Sequence, residues 1–277
     1  MARNIHPFAI NTYSYTMSHS AADCVTHLID AGYSDFELMM YPGHLWPADM
    51  DPAARSGLRQ HIEARGARVI TLNMPNVDLN LAGAAEEMRA YTLGLLRGVV
   101  GLAGDLGVPG VVLGIGKANP LFPAPTERLV GYFYQALDEL LPLAEKAGTE
   151  LWVENMPFSF ISDVDTLMNM LDQYGSDDVG FVYDVANGHF IGEDLSDGLR
   201  RVKDRLKLVH LSDTTQRIYR HDPVGAGDLD FAPLPATLRE VGYQELAMLE
   251  IVSLEPDREI RESADHLFAA GYPHRDV

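Results

Sequence analysis

The sequence predicts an α/β fold, closed as a single (β/α)8 barrel over residues 1–277. Eight short, β-rich apolar runs recur, and each is followed by a helix-like stretch. Their spacing averages about 34 residues, the length of a strand–crossover helix unit. Several runs, such as Val111-Val-Leu and Leu208-Val-His-Leu, are almost continuously apolar, as parallel strands buried on both faces require. A chain of 277 residues with 47% hydrophobic residues can fill such a barrel and its helical shell.

The predicted strands are Phe8–Tyr15, Asp35–Met40, Arg68–Met74, Gly110–Ile115, Glu150–Asn155, Val179–Val185, Leu206–Ser212 and Leu246–Val252. The helices between them carry start and stop signals. Ser20 precedes a stripe of Ala21, Cys24, Val25, Leu28 and Ile29, which Gly32 ends. A second stripe runs Leu129, Phe133, Ala136, Leu137, Leu140 and Ala144, closed by Gly148, and Phe231–Val241 ends at Gly242 in the same way. A doubly wound open sheet would need a glycine-rich first turn, and Asn11-Thr-Tyr-Ser-Tyr15 is not one. The Pro/Gly-rich patches Tyr41–Pro52, Gly114–Pro125 and His221–Pro235 all follow strands, which places them on the C-terminal face where barrel active sites lie.

Charge and cysteine content remove several function classes. A formal net charge of −19 opposes nucleic-acid binding, which needs cations to neutralise phosphates. The single cysteine, Cys24, allows no internal disulfide and falls on an apolar helix face, where packing is its expected role. Met1–Pro7 has no apolar signal region and no run of 18 apolar residues occurs, so a soluble cytoplasmic protein without membrane contact is expected. Homo-oligomerisation stays open. No Ser-His-Asp order, Cys-His pair, phosphate loop or zinc-knuckle spacing is evident.

Chemistry gathers at the strand ends. Strand five ends on Glu154, six on Asp184, seven on His210 and eight on Glu250, each inside or beside an apolar run. A buried, unpaired charge there would be very costly. Three carboxylates and one imidazole converging at one end of a barrel would repel unless a cation sat among them. Oxygen-rich ligation with one histidine suits Mn²⁺, Mg²⁺ or Co²⁺, with Zn²⁺ also compatible. Softer candidates surround this quartet. Glu37 in strand two has a ligand-facing or a structural role. Lys117, one of four lysines, follows Gly114-Ile-Gly116 and could meet a substrate carboxylate or hydroxyl, or lie in solvent. Arg217 could bind an anionic group or be an exposed loop arginine. His44 and Trp46 could wall the substrate or simply pack.

The motifs Val153-Glu154-Asn155, Tyr183-Asp184-Val-Ala-Asn-Gly-His189, Val209-His210-Leu-Ser-Asp213, His221-Asp-Pro-Val-Gly225-Ala-Gly227 and Leu249-Glu250-Ile251 together resemble the sugar phosphate isomerase/epimerase superfamily of xylose isomerase-like barrels. This superfamily includes ketose 3-epimerases, hydroxypyruvate isomerase-like enzymes and endonuclease IV. The resemblance implies that Glu154, Asp184, His210 and Glu250 hold a divalent metal, with Glu154 and Glu250 as the acid/base pair. One glutamate would take a proton from carbon and the other would return one, through a metal-stabilised enediolate. The substrate implied is a ketose or hydroxy-keto acid. Two departures narrow the reading. Asn187 stands where a histidine often follows the strand-six aspartate. Tyr219 stands where endonuclease IV has the aspartate of an Asp-x-His pair, which argues against DNA repair. His221 is retained, and with Asn187 it is expected near the substrate. Two other functions fit the same quartet: a lyase similar to 3-dehydroshikimate dehydratase, and a non-catalytic sugar-binding protein.

Overall fold

The computed structural model describes residues 7–74 and 79–273, so most of the Met1–Pro7 segment lies outside the described residues. Eight parallel strands form a closed barrel in sequence order: β1 (Ala9–Asn11), β2 (Asp35–Met39), β3 (Arg68–Asn73), β4 (Gly110–Leu113), β5 (Glu150–Glu154), β6 (Val179–Asp184), β7 (Leu206–Leu211) and β8 (Met248–Leu249). Around them run α1 (Ala21–Asp30), α2 (Pro52–Ala64), α3 (Glu86–Leu106), α4 (Thr126–Ala147), α5 (Val164–Tyr174), α6 (Val185–Ile191), α7 (Leu195–Val202), α8 (Leu234–Glu240) and α9 (Pro256–Ala269). Among the described residues no helix is long and apolar enough to cross a membrane.

The predicted helix signals operate as physics requires. The Ser20 hydroxyl accepts from the Asp23 amide and caps α1, whose buried residues are the five of the predicted stripe. Gly148 closes α4 at φ +73°, a backbone conformation that side chains resist. Every strand is shorter than its predicted run, by one or two residues in β2 to β7 and by five in β1 and β8. β1 stops at Asn11 because the Asn11 side-chain oxygen accepts from the Tyr13 amide at 2.7 Å and turns the chain into a short 3-10 segment, Tyr13–Tyr15. β8 pairs with β1 only at Met248 and Leu249, and beyond them the Val252 amide bonds the His221 carbonyl in the loop after β7. After β6 the chain makes two helices rather than one. Gly192, at φ +83°, ends the first.

Two cores result. The larger packs the outward faces of the strands against the helices. The smaller contains Ala9, Ile70, Val112, Trp152, Val182, Leu208 and Met248, one residue from every strand but β2, and fills the barrel interior. Trp152 fits there because its flanking strands present glycine. A β-carbon at Gly110 would stand 2.7 Å from the indole ring, and one at Gly180 would stand 2.6 Å from it. Gly110→Ala is therefore expected to destabilise the protein by about 1–3 kcal/mol through overpacking, read as a lower urea midpoint at unchanged slope.

This interior layer positions the site. Side chains two residues apart point to the same side of a strand. Asn11, Glu154, Asp184, His210 and Glu250 each follow an interior residue (Ala9, Trp152, Val182, Leu208 and Met248) by two. The polar groups thus form the next layer up, at the C-terminal end of the barrel.

Candidate functional site

Register and burial bring the four strand-end residues together. Asp184 and His210 are paired neighbours across β6 and β7. One ligand atom from each of Glu154, Asp184, His210 and Glu250 lies within 4.8 Å of the others, and all four residues are buried. The His210 Nδ1 atom stands 3.0 Å from a Glu250 oxygen, 3.3 Å from Glu154 and 3.8 Å from Asp184. Asp184 Oδ2, Glu250 Oε2 and both His210 ring nitrogens have no hydrogen-bond partner although they are buried. Unsatisfied polar atoms of this kind are costly, and Asp184 Oδ2, Glu250 Oε2 and His210 Nδ1 converge on one point, while Nε2 faces Glu37. The donor set and its orphaned atoms fit a divalent cation, so the cluster could hold one.

Electrostatics point the same way. Burial pushes the Asp184 carboxyl up to about 6, with Glu250 adding to the rise. Burial also raises Glu154 above the usual carboxylate range. His210 moves the opposite way from an ordinary buried histidine. Burial alone would lower it, but Glu37, Glu250 and Glu154 outweigh that and hold it well above its usual value. His221 is raised for the same reason, by Glu250 and Asp184 against the cost of burial. In the absence of a cation these groups therefore hold their protons to a higher pH than they would in solvent.

Each carboxylate is held from outside the cluster. The Asp184 Oδ1 atom accepts from the Asn187 amide at 2.7 Å, which caps α6 and leaves Oδ2 facing the site. Asn155 clasps the Asp184 backbone with two hydrogen bonds, at 2.8 and 2.9 Å. Asn187 also donates to the Asn155 carbonyl at 2.8 Å and to Glu154 at 3.4 Å, and accepts from the Tyr219 hydroxyl at 2.7 Å. Tyr219 in turn bonds His221 Nε2 at 2.8 Å, while Ser212 holds His221 Nδ1 at 3.0 Å. His221 Nδ1 stands 3.5 Å from Glu250 and 3.6 Å from Asp184.

Above the quartet opens a cavity of about 110 Å³. Glu154, Asn187, His221, Glu250 and Asn73 contribute polar groups, and Met39, Met74, Met156 and Phe158 contribute apolar walls. Lys117 also lines it, and its backbone is fixed by Asn80 through hydrogen bonds of 2.8 and 2.9 Å. The other sequence candidates lie elsewhere. Glu37 is fully buried beside His210 and outside the cavity lining. Arg217 is exposed in the loop after β7, also outside that lining. His44 is buried between Thr12 and the His19 carbonyl, and Trp46 lines a separate hollow between α1 and α2. His189 pairs with Asp228 at 2.7 Å.

Asn11, the contacts of Tyr219 and the apolar wall escape a reading of the sequence. Asn11 is legible in principle as the last residue of the first strand, in the same side-chain phase as Ala9. Tyr219 carries no signal beyond its place in the loop, because its role depends on how that loop folds over α6.

Fold and cluster together define a barrel with an acidic, cation-compatible centre at its C-terminal mouth. The model of the xylose isomerase-like TIM barrel family matches residues 25–270, and the chain belongs to that family. Among curated proteins it is 24% identical over 186 residues to the uncharacterized protein MJ1311 of Methanocaldococcus jannaschii, covering 65% of this chain and 64% of that one. It is 21% identical over 188 residues to a putative L-ribulose-5-phosphate 3-epimerase, UlaE, of Shigella dysenteriae, covering 67% of this chain and 66% of that protein. Both matches span slightly less than two thirds of the relative's length. Among solved structures, a D-tagatose 3-epimerase-like protein superposes with a TM-score of 0.80 at 18% identity, covering 95% of this chain and 96% of the other. The IolI protein with a binding zinc atom gives a TM-score of 0.75 at 18% identity, with 95% and 96% covered.

Proposed function

We propose that the chain is a divalent-metal-dependent isomerase or epimerase acting on a ketose or hydroxy-keto acid. The observation that carries this reading is the buried quartet of Glu154, Asp184, His210 and Glu250 with its unpartnered oxygens and nitrogens, opening into a small cavity. The epimerase names of the UlaE and tagatose epimerase-like proteins support it, and the zinc of IolI supports a metal at such a centre. Mn²⁺, Mg²⁺, Co²⁺ and Zn²⁺ all suit the donor set. A bound divalent ion would be held by these four residues and would supply Lewis-acid polarisation of a substrate carbonyl.

The chain's own groups do the rest. Glu154 and Glu250 both line the cavity, so either can reach a substrate carbon. One removes the proton beside the carbonyl and the other delivers a proton to the product. Asn187 donates to Glu154, and the Asn11 amide donates to Glu250 Oε1 at 3.2 Å, so each carboxylate has one oxygen held and one free to act. His221 lines the cavity with Nε2 bound to Tyr219 and Nδ1 to Ser212, and its raised basicity sets positive charge beside negative charge developing on a substrate oxygen. Lys117 and Asn187 provide further polar contacts. Arg217 would contribute only by reaching in from its exposed loop position.

The test is a screen of keto sugars and keto acids in deuterated buffer with added Mn²⁺, Mg²⁺, Co²⁺ or Zn²⁺. Deuterium gained at carbon without loss of water is expected. Loss of water with a new conjugated absorbance would instead identify a lyase. Tight ligand binding without exchange under any metal would identify a binding protein. Asn187→Ala should lower turnover by about tenfold or more, because it frees both Glu154 and Tyr219, with a smaller change in KM.

A further inference from the structure

We infer that Glu37 is a positioning residue that fixes the tautomer of His210, so that Nδ1 faces the metal centre with its lone pair while Nε2 carries the proton. This rests on the metal reading of the quartet proposed above. The imidazole is fully buried, and its two nitrogens face different partners. Nδ1 faces Glu154, Asp184 and Glu250. Nε2 faces Glu37 Oε1 at 3.3 Å. A histidine can ligate a cation only through a deprotonated nitrogen, so the ring proton must then sit on the other one. Fully buried, that N–H needs an acceptor, and Glu37 Oε1 stands at that place.

Glu37 is itself built in. It is fully buried at a register shift between β2 and β3. Its carboxylate accepts from Asn11, from the Thr71 hydroxyl and from Asn73 at 3.1 Å. An isolated buried carboxylate would be expelled or protonated. Three donors and an imidazole keep this one in place without any contact to the cavity. Asn11 links the two halves of the device. Its amide nitrogen reaches both Glu37 Oε1 and Glu250 Oε1, which leaves Glu250 Oε2 turned to the centre. One amide thus orients a ligand carboxylate and braces the carboxylate that orients the ligand histidine. Partners of this kind raise the basicity of the ligand histidine and commonly govern metal affinity by about 10–100-fold.

The experiment is calorimetric titration of the metal-free full chain with Mn²⁺ or Zn²⁺, for wild type and Glu37→Gln, together with the melting temperature of each metal-free protein. Glutamine keeps the shape and one acceptor oxygen but removes the charge. A weakening of metal binding by about 10-fold or more, with metal-free melting changed far less, is expected. Unchanged affinity would overturn the role of Glu37 alone. Absence of metal binding in wild type would overturn the underlying reading of the quartet instead. Should the variant fail to fold, ¹⁵N histidine spectra of zinc-loaded wild type decide the matter. Nδ1-bound zinc with a protonated Nε2 in His210 is expected, and zinc on Nε2 would sink the inference.

Discussion

Glu154→Gln and Glu250→Gln should each lower solvent-proton exchange by about 10²–10⁴-fold, the usual worth of a positioned general acid or base. Glutamine preserves a ligand oxygen and nearly the same volume, so the barrel and much of the cation affinity should persist. What it removes is a carboxylate able to accept and release a proton. The two glutamates line the same cavity, and one oxygen of each lies within 4.8 Å of the other ligand atoms. If they act on opposite faces of one carbon, the two variants should differ in which substrate epimer loses exchange first. Circular dichroism should confirm an intact fold in both. Full exchange in both variants would remove the acid/base assignment and leave the quartet with a binding role only.

The second large effect couples metal to pH. Asp184 and His210 both have their folded values raised, as does Glu154. A group raised on folding stabilises the protein below its unfolded value and loses that contribution as pH rises through the folded value. The metal-free protein should therefore lose stability as pH rises from about 4 through about 6, where Asp184 ionises, and again above that as His210 loses its proton. Glu37 runs the other way. Burial would raise it, but His210, Thr71 and Asn73 bring it below the usual carboxylate range. Its contribution is thus already present at about pH 5 and constant above, while His210 keeps its proton. Cation binding requires the deprotonated ligands, so affinity rises with pH and protons are released on loading. At a free ion concentration of roughly 1,000 times Kd the gain is about 4 kcal/mol. Thermal melts with Mn²⁺ or with chelator should show a larger metal-induced shift at about pH 8 than at about pH 5. Equal shifts at both values, or a larger one in acid, would contradict the ligand assignment.

Much of this site is legible in the amino-acid sequence. The four quartet residues announce themselves because a charge at the end of an apolar run is costly, and four such cases in successive strands share one explanation. The helix stripe of α1 is legible for a similar local reason, a 3.6-residue period with a capping serine and a closing glycine. Strand lengths are less legible. Apolar runs continue past Asn11 and Leu249, yet the ladder stops where an asparagine side chain captures a backbone amide and where a loop carbonyl takes over as partner. Glu37, Lys117 and Arg217 look equivalent in sequence, as polar residues in or after the strands. In the folded chain one lies beneath His210, one lines the cavity and one faces solvent.

The sequence by itself determined the strand–helix alternation, the parallel barrel and the residue types at the acidic centre, because period, capping and burial cost are properties of short segments. Only the tertiary structure decided which atoms meet. Closure of β8 onto β1, the register shift beside Glu37 and the fold of the loop after β7 set distances between residues as far apart as Asn11 and Glu250. Those distances are sums over the whole barrel, and no local pattern encodes them. They turn four costly strand-end charges into one centre, and they set Glu37 behind its histidine.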